Sequence, residues 1–122
     1  MFRLVLLASL SFTSFIAFAQ SDTLTIIGVG DIMMGTNYPE DRLPPENGKF
    51  LLQDVQHILR NADVTFGNLE GTLLDSGGTP KTCRDPKVCY AFRTPVSYVE
   101  NLTAAGFDIV SLANNHAGDM GD

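Results

Sequence analysis

The chain has 122 residues, of which 44% are hydrophobic and 18% charged, a composition typical of a globular protein rather than a disordered one. Fourteen acidic and eight basic residues give a formal net charge of -6, and no basic patch with interleaved aromatic residues occurs, so we expect no nucleic acid partner. Such acidity is usual for a solvated surface, and part of it can concentrate cations at a site.

The first 19 residues have the pattern of a secretory signal peptide. Arg3 provides a positive start, an apolar run covers residues 4–18, and Ala17 and Ala19 stand at the two positions that a signal peptidase reads. The apolar run is shorter than the roughly 20 residues that a membrane-spanning helix needs. We therefore expect cleavage and export to the periplasm, the cell envelope or the medium. An uncleaved anchor, which would keep the protein at a membrane, is the alternative.

The mature part, residues 20–122, alternates between strand-like and helix-like segments. Short β-branched or apolar runs predict strands at 23–29, 64–66 and 108–112. Apolar periodicity predicts two helices between them. The first helix would present one apolar face, made of Leu51, Val55, Ile58, Leu59 and Ala62. The second would begin at Thr94-Pro95 with Thr94 as its cap and end at Gly106. Its apolar residues Val96, Val99, Leu102 and Ala105 repeat every three positions.

Strand, helix, strand, helix, strand is the order typical of an α/β fold with a parallel sheet and right-handed crossovers. A parallel sheet is normally covered on both faces, which two helices alone do not achieve. The expectation is therefore the N-terminal part of a larger α/β domain, truncated at its C-terminus.

Cys83 and Cys89 lie close together in a polar loop that is rich in Lys, Arg, Asp and Pro. A metal site would need more Cys or His nearby, whereas an oxidising compartment favours a disulfide. Closing so short a loop contributes about 2 kcal/mol in the chain-entropy model. Two free thiols are the alternative.

Each predicted strand ends in a compact polar segment: Gly30-Asp31 first, residues 67–70 second and Asn114-Asn115-His116 third. The carboxyl ends of parallel strands lie along one edge of a sheet, so we expect these segments to converge. Hard oxygen ligands with one imidazole suit a divalent ion such as Mn²⁺, Mg²⁺, Zn²⁺ or Fe²⁺. A dinucleotide-binding turn at Gly28-x-Gly30 is a weak rival, because Met33 stands where a third glycine belongs.

Residues 30–35, 67–71 and 111–121 resemble the motifs of the CapA-type capsule synthesis proteins. That family is involved in making or exporting poly-γ-glutamate capsules and is similar to the calcineurin-like metallophosphoesterases. The resemblance covers the whole mature chain, and its third motif is the most specific. It implies an α/β/β/α sandwich related to the metallophosphoesterases, of which this chain would be the N-terminal part.

The resemblance also implies roles for individual residues. Asp31 would be a metal ligand, Glu70, with Asn68, would occupy the region of the bridging acidic ligand, and Asn115 would be an amide ligand. His116 would stabilise the leaving group or the transition state as the catalytic residue. Each residue has a plainer alternative. Asp31 could be a turn residue and Glu70 a solvated loop acid. Asn114 and Asn115 could be turn formers, and His116 a hydrogen-bonded structural histidine.

Three further residues bear on the site. Met33 takes the place of a second metal-binding histidine in the phosphoesterase motif. Asp119 would orient His116 from behind, unless it is a solvated loop residue. His57 falls on the polar side of the first predicted helix and is expected to be solvated.

Three functions follow as hypotheses. The first is a metal-dependent hydrolase of a phosphoester-type substrate. The second is a non-catalytic component of a capsule synthesis or export complex that binds an anionic polymer beside other such proteins. The third is a binding module of the cell envelope without a metal. On any of them, the 122-residue piece alone is expected to bind metal poorly and to be inactive, since its site and its covering layers would be incomplete.

Overall fold

The computed structural model describes residues 22–121, so the predicted signal peptide lies outside the described residues. Seven elements follow in chain order: β1 Ile26–Ile32, α1 Gln56–Leu59, β2 Val64–Leu69, β3 Thr72–Leu73, β4 Arg93–Thr94, α2 Val99–Ala105 and β5 Ile109–Ser111. Short 3-10 turns occupy Glu46–Gly48, Pro86–Val88 and Val96–Tyr98. Within this described range, neither helix has the length and apolar character needed to cross a membrane.

The main sheet has three parallel strands in the order β1-β2-β5. This confirms the predicted α/β class with a parallel sheet. Phe66 of β2 lies opposite Ile109 of β5, and the pairing of β1 with β2 is irregular between Gly28 and Asp31. A second, two-stranded parallel sheet joins β3 to β4, which the sequence did not predict.

Strand β1 begins and ends later than predicted. It covers Ile26–Ile32 instead of 23–29, so Gly30 and Asp31 lie inside the strand and not in a turn after it. β2 is also longer, because it continues through Gly67 and Asn68 to Leu69. The strand-end segments are thus partly strand themselves, and the sheet register fixes their backbones.

The first predicted helix is only partly formed. Only Gln56–Leu59 is α-helical, and turns precede it. Leu59 is buried at 5% exposure, whereas Leu51, Val55 and Ile58 remain 44%, 42% and 53% exposed. The prediction of a helix over residues 51–62 was therefore wrong except for Gln56–Leu59. These side chains instead line a groove of about 480 Å³ beside β1, which explains their exposure.

The second helix ends as predicted but begins and packs differently. Gly106 terminates α2 in the left-handed conformation with φ 100°, which glycine adopts without steric cost. The buried side chains are Tyr98, Leu102 and Ala105, whereas Val96 and Val99 are each 45% exposed. The spacing i, i+4, i+7 places the first three on one helix face, and the predicted three-residue repeat missed Tyr98.

Thr94 does not cap this helix. It belongs to β4, and its hydroxyl donates to the Gly35 carbonyl at 2.6 Å. The first free backbone amide of the turn, that of Val96, donates instead to Oδ1 of Asp75 at 3.0 Å. The carboxylate of Asp75, a residue distant in sequence, thus caps this turn in place of the Thr94 hydroxyl that the sequence pattern predicted.

The two faces of the main sheet differ in burial. One face contributes Ile32 and Leu69 to a core with Met34, Tyr98 and Leu102. On the other face, Ile26, Phe66 and Ile109 are 61%, 40% and 57% exposed. The polar ends of the strands therefore border an open sheet face.

Candidate functional site

A row of polar side chains crosses the carboxyl end of the sheet. Register places Asp31 of β1 opposite Asn68 of β2, and Asn68 opposite Ser111 of β5. Nδ2 of Asn68 donates to Oδ1 of Asp31 at 2.6 Å, so the two side chains are in direct contact. Asp31 is exposed and Asn68 is half-buried, which leaves the carboxylate accessible to solvent.

Asn114 connects this row to the loop after β5. Its Nδ2 lies 3.2 Å from Oδ1 of Asn68 and donates to the Leu69 carbonyl at 2.8 Å. Its Oδ1 accepts the backbone N–H of His116 at 2.9 Å. One asparagine side chain therefore fixes both the end of β2 and the backbone that carries the histidine.

His116 is buried at 7% exposure, with a different acid on each side of its ring. Nδ1 lies 2.8 Å from Oδ2 of Asp119, and Nε2 lies 3.4 Å from Oε1 of Glu70. The Phe92 ring packs against the imidazole with 4.6 Å between centroids. An ionised carboxylate only accepts hydrogen bonds, so Asp119 favours the tautomer in which Nδ1 carries the proton and donates it, and leaves Nε2 facing Glu70.

Asp119 is fully buried and has three polar partners, one in an ion pair with Oδ1 and two in hydrogen-bond contact with Oδ2. Besides His116, Nζ of Lys81 lies 2.5 Å from Oδ1, and the backbone N–H of Phe92 donates to Oδ2 at 2.6 Å. Burial on its own would raise the pKa of this carboxyl, but the hydrogen bonds from Lys81, Phe92 and His116 outweigh burial and hold the pKa below its ordinary value. Asp119 is therefore an anion at neutral pH, in contact with Nδ1 of His116.

The remaining predicted residues have different surroundings. Glu70 reaches His116 rather than Asp31 in the contacts above. Asn115 has an exposed side chain, and its carbonyl lies 3.4 Å from Nζ of Lys81. It is Asn114, next to it, that contacts Asn68. Cys83 and Cys89 form a disulfide with an S–S distance of 2.10 Å, and His57 is exposed as predicted.

The donor chemistry at this edge fits a divalent cation in part. Asp31 and Glu70 supply carboxylate oxygens, Asn68 supplies an amide oxygen, and oxygen donors of this kind suit Mg²⁺ or Mn²⁺. Across residues 22–121, no three His, Cys, Asp or Glu side chains come together as a group that would hold a metal ion. The described residues thus provide a partial ligand set, to which water or other protein groups would have to add.

Two residues of this site escaped the sequence analysis. Lys81 lies in a loop where charged residues follow one another, and nothing in the local pattern separates it from Arg84 or Lys87. Phe92 contributes a backbone N–H and a ring, which no motif marks. The two contact Asp119 from 38 and 27 positions away, so only the tertiary fold reveals them.

Comparison with known proteins gives a consistent result. A family model described as bacterial capsule synthesis protein PGA_cap matches residues 25–122. The uncharacterized protein y4sH of Sinorhizobium fredii is 33% identical over 103 residues, which is 82% of this chain and 20% of that protein. The capsule biosynthesis protein CapA of Bacillus anthracis is 30% identical over 104 residues, 84% of this chain and 24% of that protein. The chain thus spans about a fifth to a quarter of the length of these curated relatives.

Proposed function

The chain belongs to the bacterial capsule synthesis family PGA_cap, and on this premise we propose that it is part of a metal-dependent hydrolase that acts in the synthesis or export of a capsule polymer. The observation that supports the hydrolase is the arrangement of His116 between two acids, with Nε2 towards Glu70 and beside the row formed by Asp31, Asn68 and Asn114. The B. anthracis relative, by its name, acts in capsule biosynthesis, which supports the biological role.

The row at the sheet edge would hold the cation. Asp31 offers an exposed carboxylate, Asn68 an amide oxygen and Glu70 a second carboxylate, with Asn115 close by in sequence on the loop after β5. A divalent ion bound there would polarise a phosphoester-type oxygen and lower the pKa of a bound water towards neutrality. Oxygen donors alone leave Mn²⁺, Mg²⁺, Zn²⁺ and Fe²⁺ all as candidates.

His116 would move the proton. Nδ1 is engaged by Asp119, so the exchangeable site is Nε2, which faces Glu70. With Nδ1 protonated, Nε2 carries a lone pair, so His116 would first take up a proton there and would then donate it to a leaving group or stabilise the charge that develops on it. The Phe92 ring against the imidazole restricts its rotation.

The substrate would be a phosphoester-type compound or an anionic polymer, and other capsule synthesis or export proteins would be its partners. We further propose that the protein acts outside the cytoplasm. The signal-like pattern of residues 1–19 and the Cys83–Cys89 disulfide both support an exported protein, because disulfides persist in oxidising compartments.

The test uses the full-length protein with bis(p-nitrophenyl) phosphate as a generic phosphodiester, with added Mn²⁺ and with EDTA. We expect turnover that requires the metal, is lost in Asp31→Asn and His116→Gln, and survives in Asp63→Asn, which changes an acid at the opposite end of the sheet. Binding of Mn²⁺ and of an anionic polymer without turnover would refute the hydrolase and favour the non-catalytic polymer-binding component. Absence of both would favour the metal-free binding module.

A further inference from the structure

We propose that the disulfide-closed loop from Lys81 to Phe92, called the clamp loop below, positions His116, and that Lys81 is the positioning residue that acts through Asp119. The consequence for catalysis rests on the proposed function. The structural part of the proposal is that Lys81 and the disulfide set the orientation and tautomer of His116, and this part does not depend on the proposed function.

Both ends of the clamp loop meet at one carboxylate. Lys81, at its start, places Nζ 2.5 Å from Oδ1 of Asp119. Phe92, at its end, donates its backbone N–H to Oδ2 of the same residue at 2.6 Å. Nδ1 of His116 reaches Oδ2 as well, at 2.8 Å. The lysine therefore occupies one oxygen and leaves the other to the histidine.

This division of the two oxygens fixes how the carboxylate is rotated. Nζ of Lys81 also lies 3.5 Å from Nδ1 of His116, so the ammonium and the imidazole N–H are neighbouring donors to the two oxygens of the Asp119 carboxylate. With Lys81 on Oδ1, Oδ2 is directed at Nδ1 and Nε2 is left facing Glu70. Without the ammonium, the buried carboxylate would lose its only close cation among the described residues and would be free to rotate.

The disulfide holds the two ends of the clamp loop together. Cys83 follows Lys81 by two positions and Cys89 precedes Phe92 by three, with 5.5 Å between the cysteine Cα atoms. The entering segment is also paired with the segment around Asp119, because Thr79 N–H donates to the Met120 carbonyl at 2.8 Å and Lys81 N–H to the Asp119 carbonyl at 2.9 Å. The exiting segment is paired separately, because the Phe92 carbonyl accepts the Thr72 N–H at 3.3 Å and Arg93 begins β4, so the disulfide is the covalent link between two segments that pair with different parts of the fold.

The experiment reads the imidazole directly. The chain contains two histidines, so ¹⁵N-histidine labelling gives two sets of ring signals, and His57→Gln assigns them. Long-range ¹H–¹⁵N spectra, recorded at alkaline pH without metal, report which ring nitrogen carries the proton. We expect His116 in a single neutral form protonated on Nδ1, whereas the exposed His57 shows a mixture of tautomers.

Three variants test the lysine. Lys81→Met should convert the His116 signals to a tautomer mixture, Lys81→Arg should restore the single form, and Lys87→Met, which removes an exposed charge from the same loop, should leave it unchanged. A folded Lys81→Met protein that keeps the wild-type signals would overturn the proposal. If Lys81→Met does not fold, dithiothreitol treatment of the wild-type chain decides: a partial shift to the mixture supports the clamp, and unchanged signals in the reduced, folded chain refute it.

Activity of the full-length protein separates this inference from the proposed function. If the hydrolase exists, Lys81→Met should lower kcat about 10- to 100-fold with little change in KM, as expected for a group that orients a catalytic residue. If no variant and no wild-type protein turns substrate over, the proposed function fails while the tautomer spectra still test the clamp. If turnover is present and insensitive to Lys81, the clamp has no catalytic role.

Discussion

Asn68 donates a hydrogen bond of 2.6 Å from Nδ2 to Oδ1 of Asp31, across the boundary between β1 and β2. The donor is an amide on a central strand and the acceptor a carboxylate on an edge strand, so the bond ties an exposed charge to the middle of the sheet. Asn114 continues the contact from the other side of Asn68 at 3.2 Å. The row of Asp31, Asn68 and Asn114 is thus ordered by hydrogen bonds among its own side chains, and the Asp31 carboxylate lies at one end of it.

Asp31→Asn should weaken divalent cation binding. The substitution keeps the shape of the side chain but removes the charge that attracts the cation. Changing a residue that only orients a metal ligand typically lowers affinity about 10- to 100-fold, so changing the ligand itself should cost at least about 10-fold. Calorimetric titration of the full-length protein with Mn²⁺ measures this. Asp63→Asn is the control, since that acid precedes β2 at the other end of the sheet and accepts from Thr25 N–H. Equal binding by wild type and Asp31→Asn would remove Asp31 from the site.

Gly67→Ala should destabilise the sheet. A Cβ at this position would lie 2.5 Å from Cδ1 of Ile32 and 2.8 Å from Cγ2 of Val29, so the packed face must shift, at a cost of about 1–3 kcal/mol in the free energy of unfolding. Gly28→Ala on the adjacent strand is the control, because a Cβ there meets nothing within 4 Å. Urea unfolding of both variants gives the comparison, and equal stability would show that the core relaxes without cost.

Thr65→Val should also lower stability. Thr65 is fully buried, and its hydroxyl donates to the Leu59 carbonyl at 2.6 Å. Valine preserves the shape but leaves that carbonyl without its donor, which costs about 1–3 kcal/mol. The control is Thr103→Val, whose hydroxyl is exposed and bonds within α2, and which should stay within about 0.5 kcal/mol of wild type. Thermal or urea unfolding that ranks the two variants equally would contradict the argument.

The contribution of Asp119 should depend on pH in a defined direction. Its pKa is lower in the folded chain than the ordinary value of 3.8, so the unfolded chain binds its proton first. The stability it provides is present above the ordinary value and is lost as the pH falls through the folded pKa. The difference in unfolding free energy between wild type and Asp119→Asn should therefore shrink as the pH is lowered from 5 into that acid range.

Chemical denaturation across the same pH series checks this expectation. Thr103→Val, which changes no titratable group, serves as control, and its difference from wild type should show no such trend. The ionisable side chains that face Asp119 are those of Lys81 and His116. A constant difference between wild type and Asp119→Asn would mean that the carboxyl is not held as an anion.

The sequence predicted the parts of the fold that depend on local pattern. Runs of strand-forming residues predicted the three strands of the parallel sheet in the right order. The geometry of glycine predicted the end of α2 at Gly106. The boundary of β1 was misplaced, since Gly30-Asp31 also has the composition of a turn. The apolar repeat did not mark the buried face of α2, because valines repeat every three residues while Tyr98, which packs deepest at 1% exposure, interrupts that repeat.

The site was predictable only as far as its motifs reach. Asp31, Asn68, Glu70 and His116 follow or end strands, so topology brings them to one edge. Either Asn114 or Asn115 could have contacted Asn68, because the choice depends on the backbone path after β5. In the structure Asn114 makes this contact. The partners of Asp119 come from a loop that is remote in sequence, and no local periodicity encodes such a contact.

The irregular register in β1 has a consequence for which side of the sheet carries the charge. From Gly28 to Asp31 the strand advances three residues while its partner advances two, from Phe66 to Asn68. In an uninterrupted ladder Asp31 would stand opposite Leu69, whose side chain is buried at 5% exposure. One extra residue therefore inverts the alternation of the strand and turns a carboxylate from the core to the open face. Deleting Gly30 would take out the extra residue and should leave Asp31 opposite Asn68, still on the open face, in a ladder without the irregularity.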